Sequence, residues 1–275
     1  MKAFSKMEQQ AINKDIFFNN LQKGGNMIAV CSGSYGVGKT WFSTALSAAL
    51  SAQKKKVLLF DGDGGSCNVA SFLGIVPQNN LETIVYKRQT LNQIIYKSDK
   101  LGFDIICGNK NSAGLSALPI GRLQILAEDL AAVSKPYDNV VLDIGSGDEK
   151  SAKILAGMAK HIILIIDANP KSLIGGYDFF QTMSEQYPAS RFSIVVNQVN
   201  SLKDGQMIYN TFAAAAKKFL PQIPQLIGVV RNDTRVRDCQ KNQTLILSRY
   251  PSADAAVDVL KIAEKIETGE IKTDE

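Results

Sequence analysis

Residues 33–40 read Gly33-Ser34-Tyr35-Gly36-Val37-Gly38-Lys39-Thr40, a match to the pattern GxxxxGK[ST]. Each residue type has a chemical reason to be there. Glycines let backbone N–H groups converge on phosphate oxygens, the Lys39 ammonium can reach the β and γ phosphates, and the Thr40 hydroxyl can ligate Mg²⁺. A helix starting at Lys39 adds the partial positive charge of its N-terminus. The pattern therefore points to a nucleoside triphosphate, with ATP and Mg²⁺ as the expected cofactors. A chance Gly-rich turn is the competing explanation, and the strand-like MIAV before the loop and the apolar helical segment after it argue against that. Trp41 closes the candidate binding segment; its bulk suits packing near the surface.

A magnesium–nucleotide site also needs a carboxylate for the metal and a group that orients the attacking water. Three aspartates are candidates. Asp61 ends the apolar run VLLF, Asp63 follows in the Gly-rich loop DGDGGS, and Asp143 ends NVVLD before further glycines. Asp143, with Asp61 beside it, suits the metal, and Asp63, on a loop that can move, suits the water. Any one of them could instead cap a following helix. Three at one edge make a site the stronger reading.

The elements that must position these residues follow from apolar periodicity. Short runs rich in Val, Ile and Leu, without polar alternation, at 27–30, 57–60, 103–106, 139–144, 162–166, 192–196 and 226–230 read as strands buried on both faces of a parallel sheet. Helical segments are expected at Lys39–Ala52, Ile120–Val133, Lys150–Ala159, Ser172–Gln186 and Tyr209–Phe219. This alternation predicts an α/β fold of three layers, a mostly parallel central sheet flanked by helices, with ligands at the carboxyl ends of the strands.

Composition sets the outer limits. The 275 residues, 45% hydrophobic, can bury a full core. A net charge of +5 is too mild to indicate nucleic acid, although Arg231, Arg235 and Arg237 cluster and could meet phosphate. Cys31, Cys67, Cys107 and Cys239 form no CxxC pair, so neither a zinc site nor a disulfide framework is expected, and a reducing, cytoplasmic setting fits. The N-terminus lacks the apolar stretch of a signal peptide, and runs such as IILII are too short to span a bilayer. The sole histidine, His161, precedes a buried run and reads as structural. The expected organisation is a helical extension over 1–25, one nucleotide-binding domain over 26–266 and a polar tail over 267–275.

Taken together, the motifs resemble the MinD/ParA group of deviant Walker A P-loop ATPases, and within it the flagellar regulators of the FlhG type (FleN, YlxH), over roughly residues 26–265. The resemblance rests on the phosphate loop, on Asp61, Asp63, Gly65, Asn68, Leu73 and Gly74 as DxDxGxxN…LG, and on YDNVVLDIGSG, FSIVVNQVNS and the closing segment IGVVRNDTRV. It implies that Lys39 and Thr40 bind phosphate and Mg²⁺, that Asp63 activates water, that Asp143 serves the metal and that Asn197 contacts adenine. It further implies an ATP-dependent homodimer that dissociates on hydrolysis, and a role in positioning or number control of flagella or a related cell-surface assembly.

The departures are specific. The family loop reads KGGVGKT, with a first lysine that crosses to the partner's phosphates; here Ser34 and Tyr35 stand in place of that lysine and the next glycine. Loss of such a cation, which resembles an arginine finger, is worth about 10³ to 10⁵ in rate, so hydrolysis is expected to be slow unless Lys171 or Arg235 substitutes. Arg231 stands where the family has proline. An adaptor that binds ATP without cutting it, in a flagellar, pilus or secretion assembly, remains the alternative, followed by a DNA-partitioning ATPase. Flagellar relatives activate the GTPase FlhF through an N-terminal DQAxxLR motif, of which QQAINKD keeps only Gln10 and Ala11. The C-terminal helix mixes acidic and basic residues on its polar face, which suits core packing better than a membrane anchor, so any inner-membrane association would run through a partner.

Overall fold

The computed structural model describes residues 26–63, 69–87, 89–108, 115, 118–145, 150–218 and 222–270. The expected 1–25 extension, Gly65, Cys67, Asn68 and residues 271–275 of the tail lie outside them.

The described strands are β1 (Asn26–Cys31), β2 (Val57–Asp61), β3 (Ile95–Tyr96), β4 (Asp104–Ile106), β5 (Asn139–Asp143), β6 (His161–Ile166), β7 (Phe192–Val199) and β8 (Gln225–Arg231). They form one sheet in the order β3-β4-β2-β5-β1-β6-β7-β8. Every neighbouring pair is parallel except β3 with β4. The described helices are α1 (Lys39–Ala52), α2 (Val69–Leu73), α3 (Leu81–Lys87), α4 (Ile120–Ser134), α5 (Lys150–Met158), α6 (Pro170–Ser184), α7 (Leu202–Ala216), α8 (Thr234–Lys241), α9 (Ile246–Arg249) and α10 (Asp254–Thr268).

Alternation along a strand splits the core into two layers. Met27, Ala29 and Cys31 of β1 join one apolar cluster with Leu123, Leu130 and Phe180, whereas Ile28 and Val30 join the other with Phe42, Leu46 and Ile262. Both faces of the sheet are thus covered, which is why its strands show no apolar–polar alternation. Helix α10 buries Ala255, Val259, Ile262 and Ala263 and packs on α1 and β8. It runs to Thr268, where Gly269 caps it at φ 70°, and Glu267 is tied to the body by Lys55 at 2.6 Å and by Asn139 at 2.7 Å.

The predicted strands are all present, and differences concentrate at helix starts. Helix α6 begins two residues before the expected Ser172, because Asn169 accepts the Lys171 N–H at 3.0 Å and Pro170 has the fixed φ of a first helical residue. Helix α7 begins at Leu202 rather than Tyr209, because Ser201 caps the Asp204 N–H at 3.1 Å. Strand β3 and helices α8 and α9 were too short to carry a periodic signal.

The topology places the candidate site. Strand β1 lies between β5 and β6, so the chain leaving its carboxyl end enters the crevice where strand order reverses. Asp61 and Asp143 are register partners on β2 and β5, and Val30 pairs with Asp143, so all three segments end at the same edge.

His161 sits at the opposite edge, 4% exposed, with no hydrogen-bond partner for either ring nitrogen among the described residues. Burial, then the nearby Arg191 guanidinium, lowers its pKa from 6.5 to about 4. The unfolded chain takes up a proton that the native chain refuses, so this contribution to stability is present above the unfolded value of 6.5 and is lost as pH falls toward 4. The full loss is roughly 3 kcal/mol at about 1.4 kcal/mol per unit. Replacing His161 by leucine should flatten the fall of Tm between these pH values; parallel Tm curves for variant and wild type would show that His161 does not carry the dependence.

Candidate nucleotide and magnesium site

The loop between β1 and α1 is held by side chains rather than by a ladder. Gly38 has φ 90°, a conformation that side chains rarely adopt, and a Cβ there would lie 2.5 Å from Asn197 Nδ2. That same Nδ2 donates to the Val37 carbonyl at 2.7 Å, and Gln198 Nε2 donates to the Gly36 carbonyl at 3.0 Å. Successive strand residues normally face opposite sides. Gln198 departs from this with φ 60°, at the irregularity where the β7–β8 register shifts between Val196 and Val199, so two consecutive amides serve one loop. At the loop's other end Ser32 Oγ donates to the Ser34 carbonyl at 2.7 Å. Gly33 lies directly against the backbone of Gly175 in α6, leaving no room for a Cβ on either residue.

Lys39, Thr40 and Ser43 fall on the first turns of α1, facing the end of β5. Ser43 Oγ donates to Asp143 Oδ1 at 3.0 Å, while Asp143 Oδ2 is buried without a hydrogen-bond partner. Burial pushes the Asp143 carboxyl up to about 6; the Thr40 hydroxyl and the Lys39 charge oppose that rise, and Asp63 adds to it. Asp61 is also buried and is pushed up to about 8, by burial first and by Asp143 second. Its Oδ2 accepts the Val69 N–H at 3.0 Å and it is also bonded by the Gly108 N–H, so it ties the starts of α2 and the segment after β4 to the end of β2. Asp63 lies on the loop after β2, its Oδ1 3.2 Å from where a Cβ on Gly145 would be. The structure thus brings Asp61, Asp63 and Asp143 together beside Lys39 and Thr40.

This arrangement fits Mg²⁺. Among the described residues no group of three or more His, Cys, Asp or Glu could cage a metal ion. Magnesium characteristically binds through one or two carboxylates, waters and the phosphates of its nucleotide. The orphaned Asp143 Oδ2, near the Thr40 hydroxyl and anchored through its other oxygen by Ser43, is a donor set of that kind.

On the far side of Gly38 a cleft of about 130 Å³ is lined by Trp41, Asn197, Gln198, Val236, Arg237 and Gln240, among others. Trp41 is buried, and packs as expected, and it also lines this cleft. With its Nδ2 engaged by Val37, Asn197 keeps its carbonyl oxygen as an acceptor, the polarity that an adenine amino group requires. Arg231, in place of proline, is taken up by the body: its guanidinium forks onto Asp258 at 2.8 and 2.9 Å and reaches Asp254 at 2.9 Å. Arg235 forks onto Asp233. Of the basic cluster, Arg237 alone is exposed at the cleft without such a carboxylate fork.

Sequence reasoning missed Ser43, Gln198 and Gly175. Ser43 was findable, since it lies four residues after Lys39 and therefore on the same helix face. Gln198 and Gly175 carried no pattern. Asn197→Ala removes a donor from a buried carbonyl and should cost about 1–3 kcal/mol of stability in denaturant unfolding, whereas an unchanged midpoint would mean the loop is held without the clamp.

Comparisons with known proteins identify the family and the fold. The model of the CobQ/CobB/MinD/ParA nucleotide binding domain matches residues 28–270. The antiactivator FleN of Pseudomonas aeruginosa is 24% identical over 242 residues, 88% of this chain and 86% of that protein. The flagellum site-determining protein YlxH of Helicobacter pylori is 22% identical over 94% of this chain and 89% of its own length. Among solved structures, the MinD cell division protein of Aquifex aeolicus superposes with a TM-score of 0.71 at 17% identity, covering 91% of this chain and 100% of its own. MinD of Pyrococcus horikoshii OT3 in complex with Mg-ADP gives 0.69 at 19% identity, with the same coverage. The chain belongs to the CobQ/CobB/MinD/ParA nucleotide-binding family.

Proposed function

We propose that this chain is an ATP-dependent switch in positioning or number control of flagella or a related cell-surface assembly, with slow hydrolysis. The observation that carries the reading is the convergence of Lys39, Thr40 and Ser43 of one helix on a buried Asp143 with an unpartnered oxygen. Loop backbone and Lys39 would hold the phosphates, Thr40 and Asp143 would hold Mg²⁺, and Asp63 would orient water; the bound metal would neutralise charge on the phosphates. Asp61, anchored by backbone N–H groups, would act by positioning the loops around it. Because Asp63 and Gly145 lie on loops that adjoin across the site, a γ-phosphate would order both and remodel the surface offered to a partner or a second copy. Two relatives, an antiactivator and a flagellum site-determining protein, support the flagellar setting. A MinD bound to MinC illustrates how a neighbour of this fold engages a partner. Among the described residues no helix is long and apolar enough to cross a membrane, which is compatible with action in the cytoplasm and with membrane contact through a partner.

A second reading, the non-hydrolysing adaptor, is favoured by Ser34 and by the fate of one substitute cation. Arg235 is committed to Asp233. Lys171 is exposed in the first turn of α6, the helix whose Gly175 touches Gly33, and is the better placed of the two. Steady-state ATP turnover and nucleotide-dependent dimerisation should be measured for wild type, Ser34→Lys, Asp63→Ala and Lys171→Ala. The switch reading expects slow turnover abolished at Asp63 and raised at least tenfold by Ser34→Lys, scaled from the contribution of a trans cation. Binding without turnover or dimer in every variant would favour the adaptor.

A further inference from the structure

Tyr35 belongs to the loop but has no part in the binding chemistry described so far. Its side chain is 76% exposed, at the outer rim of the phosphate loop. Its ring lies over the Lys39 ammonium, with 5.7 Å between nitrogen and ring centroid, within the range of a cation–π contact. Lys39 itself is buried to 6% exposure and forms no salt bridge among the described residues, so the ring of Tyr35 is in contact with the cation that the nucleotide must reach.

The backbone on both sides of Tyr35 is pinned. Ser32 holds the Ser34 carbonyl and Gln198 holds the Gly36 carbonyl. The ring can therefore leave Lys39 by rotation of its own side chain, without remodelling of the loop. Two further facts fix what would make it leave. A π face carries negative charge density and repels a phosphate, so the ring and an anion cannot share the same side of the ammonium. A charge-assisted contact between ammonium and phosphate is stronger than an exposed cation–π pair, so the phosphate wins.

Position decides which phosphate is affected. The N–H groups at the start of α1 surround the inner phosphates, and the lysine reaches outward to the β and γ groups. A triphosphate offers Lys39 two such groups and a diphosphate one, so a ring that contests Lys39 opposes the triphosphate more. We propose that Tyr35 discriminates between nucleotides: its ring competes with the outer phosphates for Lys39, lowering affinity for the triphosphate more than for the diphosphate, which lacks the γ group. This rests on reading residues 33–40 as a nucleotide site. The consequence is a lower ratio of triphosphate to diphosphate affinity, in a loop that has serine in place of the family's first lysine and an aromatic next to it.

The test is calorimetric titration of wild type, Tyr35→Ala and Tyr35→Phe with Mg-ADP and with the magnesium salt of a β,γ-imido ATP analogue. Tyr35→Ala should tighten the analogue by about two- to fivefold, the scale of an exposed cation–π contact, with a smaller change for ADP. Tyr35→Phe, which keeps the ring, should resemble wild type in its ratio of analogue to ADP affinity. An unchanged ratio in Tyr35→Ala, an equal gain for both nucleotides, or the same ratio change in Tyr35→Phe as in Tyr35→Ala would overturn the proposal and leave the nucleotide reading standing. Failure of wild type and variants alike to bind either nucleotide would overturn both.

Discussion

The structure depends on one constraint: a loop whose N–H groups must all point inward cannot be held by a regular hydrogen-bond ladder. Its carbonyls need partners from elsewhere. Here the partners are the amides of Asn197 and Gln198, delivered together because the β7 backbone turns left-handed at Gln198 and spoils the alternation of the strand. Gly38 must be glycine because that clamp stands within 2.5 Å of its missing Cβ. The cleft beside Trp41 is the space left on the other side of the clamp, so the loop and the cleft share one support.

Electrostatics build on that frame. Asp61 and Asp143 end adjacent parallel strands and are register partners, so topology forces two buried carboxyl groups side by side. Neither can ionise as it would in water, and burial outweighs the N–H bonds at Asp61 and the hydroxyls and lysine around Asp143. Asp143 faces the Thr40 and Ser43 hydroxyls and the Lys39 charge, which favour its ionised form. Asp61 is engaged by backbone N–H groups. The same edge of the sheet thus holds two buried carboxyls, each with one oxygen hydrogen-bonded and the other without a hydrogen-bond partner among the described residues.

Much of this was legible in sequence because the chemistry is local. The phosphate loop is contiguous, Asp61 and Asp143 close apolar runs, and strand ends in a parallel sheet meet at one edge. What was not legible depends on contacts between distant segments. Nothing in VVNQV announces that Gln198 will take a left-handed conformation, and nothing in LIGGY announces that Gly175 will touch Gly33. Arg231 in place of proline looked like a departure at the base site. The fold shows its guanidinium forked onto Asp258 and reaching Asp254, which fastens β8 to α10, while the residue also lines the cleft beside Trp41. Helix starts at Pro170 and Leu202 were misplaced because a single capping residue sets them, and a cap has no period.

The central claim is that the Lys39, Thr40 and Asp143 constellation holds a nucleotide together with its magnesium ion. The most direct test is equilibrium binding of ATP to the purified chain with and without Mg²⁺, for wild type and for Lys39→Ala. The account predicts saturable binding that is tightened by Mg²⁺ and lost in the variant. Binding indifferent to both Mg²⁺ and Lys39, or no binding to wild type, would contradict it.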